Sequence, residues 1–82
     1  MLTGTVIVNE YDFCAAYCIA MLGARNADTV NAFYDNQVKE IEISDNSCIL
    51  LNKLGNVYME SFEDENANIF MKVTPIVGEV LA

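Results

Sequence analysis

A chain of 82 residues with a 54% hydrophobic content holds one core, which excludes a multidomain enzyme and a disordered segment. Its formal charge of −8 comes from twelve acids against four bases, with no histidine. That balance excludes direct binding to nucleic acid and to anionic membranes, because displacing counterions from a polyphosphate needs Lys and Arg, and it favours basic surfaces.

In chain order, Leu2 to Val8 is rich in β-branched residues and predicts the first strand. Asn9 is placed to cap a helix from about Glu10 to Leu22, with Glu10 and Asp12 in its first turn and Gly23 as its left-handed stop. Beyond Asp12 this helix has no polar face, so a sheet covers one side and a second helix or a partner chain covers the rest. Asn26 caps the second helix, which runs to about Asp35 with Val30, Phe33 and Tyr34 as its apolar positions.

Val38 to Ile43 alternates, with Glu40 and Glu42 toward solvent and Ile41 and Ile43 toward the core. Short turns at 44–47 and 52–56 separate it from strands at Cys48–Leu51 and Val57–Phe62. Ile69 to Thr74 carries both a helical charge pattern and a strand alternation; the strand is favoured, and Pro75 ends either. Ile76, Val77, Val80 and Leu81 form an apolar tail that should dock on the domain or on a second subunit. The whole chain, 1–82, thus reads as one α+β domain: an N-terminal strand, two helices, then an antiparallel three- or four-stranded meander.

An odd count of three cysteines and no secretory pattern place the protein in the cytoplasm with reduced thiols. The longest apolar run, 13–24, follows acids where a signal peptide has bases, and is shorter than the ~20 residues that span a bilayer. Cys14 and Cys18 share a helical face, and Cys48 lies on a strand that could meet them. Core packing is the expected role, since a zinc site lacks its fourth ligand and its tight knuckles.

The absence of His excludes Ser–His and Cys–His catalysis. The acids fall in turns, helix starts and exposed strand faces rather than in a cleft that would raise a carboxyl pKa. Scattered glycines give no phosphate-binding loop. No catalytic residue, metal or cofactor is expected.

The acids remain as the candidate site. Glu40 and Glu42 on one strand, Glu60 on another, Asp45 in a turn and Glu63, Asp64 and Glu65 at the sheet edge would form a carboxylate ridge, with Tyr58 and Phe62 beside it. Such a ridge imitates a run of phosphates to a groove lined with Lys and Arg. The expected function is a non-enzymatic inhibitor or regulator that binds a basic, nucleic-acid-handling protein. In composition alone this resembles the decoy proteins of phages. The alternative is an assembly module, a homo-oligomer such as a homodimer built through the apolar helix 13–22 and the C-terminal tail.

Overall fold

The computed structural model describes residues 2–78. Its elements are β1 (Val6–Val8), α1 (Phe13–Leu22), α2 (Ala27–Asn36), β2 (Gln37–Ser44), β3 (Ser47–Asn52), β4 (Val57–Glu63) and β5 (Ile69–Pro75). The class is α+β, as expected. The meander holds four strands, and β1 pairs with β5, so one sheet contains five strands in the order β1-β5-β4-β3-β2. All its pairings are antiparallel.

Local chemistry explains the element ends. Asp12, rather than Asn9, caps α1: its carboxylate accepts from the Cys14 N–H at 3.1 Å, so the helix begins three residues later than expected. Gly23, at φ 86°, ends it in the left-handed region. Asn26 and Thr29 form a reciprocal capping box at α2. Ile69–Pro75 is a strand, paired with β4 along its length. Lys72 alternates with buried Met71 and Val73, which a helix would not produce.

Both helices lie on one side of the sheet. Ala16, Tyr17, Cys18 and Phe33 meet Cys48, Leu50, Val57, Met59, Met71 and Val73 there in a single core. This answers how so apolar a helix is covered. The sheet takes one side of α1 and α2 the other, with the Tyr17 and Phe33 rings 5.1 Å apart. The buried stretch of α1, Ala15 to Cys18, is therefore covered within the chain. Of the tail, Ile76 is half-buried and donates its N–H to Asn56, while Val77 is exposed; Val80 and Leu81 lie outside the described residues. No described helix is long and apolar enough to cross a membrane.

β2 overturns one expectation. Cα pairing sets Glu40 opposite Leu50 and Glu42 opposite Cys48, so both acids share the helix-bearing side of the sheet. Ile41 pairs with Ile49 on the other side, and Ile43 is exposed. A register shift between Gln37 and Lys39 sets this phase. It is tolerated because β2 is an edge strand, so that its helix-bearing side is still solvated.

Candidate functional site

The antiparallel course of the strands decides where the acids gather. The β1–α1 connection, the β2–β3 turn and the β4–β5 turn all fall at one end of the sheet. That end carries Glu10 and Asp12, then Asp45, then Glu63, Asp64 and Glu65. Asn46 ties the β2–β3 turn to β4 near its end: its side-chain amide donates to the Ser61 carbonyl at 2.8 Å, and its own carbonyl accepts the Ser61 N–H. With Glu40 and Glu42 along the neighbouring edge strand, eight of the twelve acids occupy one end and one edge. Lys53, in the β3–β4 turn, lies at the opposite end.

Two adjoining hollows run between the helices and β2. One, of about 260 Å³, is lined by Phe13, Glu40, Glu42, Ser44, Asp45, Ser47 and Cys48. The other, of about 320 Å³, is lined by Asp12, Phe13, Cys14, Phe33, Tyr34, Gln37, Glu40 and Leu50. Phe13 and Glu40 belong to both, so they form one acidic groove with aromatic walls. No basic residue lines either hollow. Glu40 reaches far enough inward to act on Cys48: burial first, and then the Glu40 charge, push that thiol up to about 11.

The expected ridge is thereby divided. Glu40, Glu42 and Asp45 stay together in the groove, and Glu63, Asp64 and Glu65 sit at the same end of the sheet. Glu60 leaves the set. It pairs with Lys72 on the far side of the sheet, where its carboxylate accepts the Tyr58 hydroxyl at 3.2 Å. Tyr58 is half-buried on that side, and Phe62 is exposed there with Lys72 5.9 Å above its ring. Asp64 is engaged locally. Its carboxylate accepts from Asn68 and Asn66 backbone N–H groups, the Asn68 bond foremost, which hold its carboxyl below the usual range.

Family models, curated proteins and solved structures return no match to the chain. The geometry therefore carries the reading alone.

Sequence reasoning missed Glu10 and Asp12 as members of the acidic end, because both were assigned to the helix dipole. The available signal was parity: in an antiparallel meander, alternate connections fall at the same end. The three thiols are free, with Cys18 and Cys48 buried and Cys14 half-buried. Among the described residues no group of His, Cys, Asp and Glu is arranged to hold a metal ion.

Proposed function

We propose that this protein is a non-enzymatic interaction module that docks a basic target through the groove between α1, α2 and β2 and the acidic end that adjoins it. The observation that carries the reading is the convergence of Asp12, Glu40, Glu42 and Asp45 on one concave surface without a compensating base. A Lys or Arg side chain entering it exchanges water for several carboxylates and for the ring faces of Phe13 and Tyr34. β2 adds a second means of recognition. As the last strand in the order it leaves one backbone edge unpaired in the sheet, against which an extended segment can lie.

A surface of this kind suits a groove that ordinarily holds nucleic acid, and the reading is accordingly an inhibitor or regulator of a nucleic-acid-handling protein, of the phage-decoy type. Charge of one sign at one end also orients the encounter and speeds it at low salt. Free thiols support a reducing, cytoplasmic setting.

Affinity capture from a lysate of the source or host cell tests the proposal, with the wild-type chain and a Glu40→Gln/Glu42→Gln/Asp45→Asn variant run side by side. The expected result is a basic nucleic-acid-binding protein, held by the wild type, released by moderate salt and missing from the variant. Identical captures from the two would refute the groove as the docking surface.

A further inference from the structure

The sheet is covered on one side only. Across its other side, register aligns Ile41, Ile49, Tyr58 and Thr74 in one row and Ile7, Lys72 and Glu60 in the next. Phe62 and Phe70 stack beyond them at 5.6 Å. Ile7 is 57% exposed and Phe62 38%. No described element packs on this face, and a side of a sheet this apolar is usually buried against another layer.

We propose that this face is the contact between two copies of the chain, an interface separate from the acidic groove. Charge commits it to a second copy. The chain as a whole carries −8, so two copies repel over most of their surface. On this face the strand positions of β1, β3, β4 and β5 hold one base, Lys72, and one acid, Glu60, which makes it the approach on which like charge does not oppose association.

The face is also self-complementary. Glu60 and Lys72 are cross-strand neighbours on β4 and β5. A two-fold axis running along the strands between them, midway between stacked sheets, sets Glu60 of each copy over Lys72 of the other. The same rotation stacks β5 on β4 and β1 on β3, the aligned packing of two sheets about 10 Å apart. β2 falls outside the overlap, so the acidic groove stays open on both copies. β4 and β5 overlap over seven residues each and β1 and β3 over three; at about 3.3 Å per residue and about 5 Å between strands this gives a flat footprint on the order of 300 Å² before side-chain relief. That lies at the small end of specific interfaces, below about 1,200 Å² in total. The expected dimer is accordingly a weak one.

Sedimentation equilibrium of the full chain between about 1 and 500 μM, a range that brackets a micromolar dissociation constant, decides the matter. The expected result is a mass rising from 9.1 kDa toward twice that value. Lys72→Glu or Glu60→Lys should each weaken association at least about tenfold through like-charge contact, and the double exchange Glu60→Lys/Lys72→Glu should restore it. Ile7→Lys, at an exposed position, serves as a second disruptive variant, with far-UV circular dichroism confirming the fold of each. A wild-type chain that stays monomeric throughout the range overturns the proposal, as does a dimer indifferent to all three single variants. A dimer lost on Glu40→Lys/Glu42→Lys but not on Lys72→Glu would move the contact to the groove and overturn it equally.

Discussion

Asn52 is nearly fully buried, and both polar atoms of its side chain are hydrogen-bonded. Its amide donates to the Phe33 carbonyl at 2.9 Å, and its carbonyl accepts the Leu54 N–H at 2.9 Å. One residue thus fastens α2 to the β3–β4 turn, the same turn whose Gly55 carbonyl accepts the Tyr17 hydroxyl at 2.8 Å. Removing the amide strands a buried carbonyl and an N–H, each at a cost of about 1–3 kcal/mol. Asn52→Ala should therefore lower the free energy of unfolding by about 2–4 kcal/mol, read as a shift in the urea midpoint at unchanged slope. Gly55 explains the rest of that turn. It sits at φ 150°, and a Cβ there would meet the Met21 methyl at 2.5 Å. In sequence, Asn52 is only one of several polar residues in a turn; its burial depends on where α2 lands.

Of the two helices, α2 is the more dependent on its ends, since Phe33 is its only buried residue. Asn26→Ala removes the acceptor for the Thr29 N–H at 3.0 Å, and the loss should be about 1 kcal/mol by thermal or urea unfolding. Its capping signal was legible because a cap is made by residues three apart, as was the Gly23 stop of α1. β2 shows the opposite case. Alternation correctly grouped Glu40 with Glu42 and set Ile41 on the opposite side, but a period of two cannot say which group faces the core. The Gln37/Lys39 register shift and the edge position decided that, and they reversed the expectation.

For the molecule as a whole, burial sets the response to alkali. Desolvation pushes the Tyr17 hydroxyl up to about 12 and, with the Glu40 charge behind it, the Cys48 thiol up to about 11, from ordinary values of 10 and 9. Both groups are held neutral in the fold and ionise more readily when it opens. Their contribution is fully present below about pH 9, and is lost as pH rises toward the folded-state values. Urea midpoints should fall between about pH 9 and 11, and Cys48→Ala should flatten part of that fall. An unchanged slope in the variant would mean that the growing negative charge of the chain, not the thiol, drives the loss.

Length, charge and periodicity by themselves determined that this chain is an α+β domain with two helices ahead of an antiparallel meander, strongly acidic and without histidine chemistry. Those properties depend on composition or on residues near one another in sequence. Only the tertiary structure decided that β1 joins β5, that Glu60 and Tyr58 part from Glu40 and Glu42, and that Glu10 and Asp12 join Asp45 and Glu63 at one end. Each of these depends on strand order and register, which are set by contacts between residues far apart in the chain.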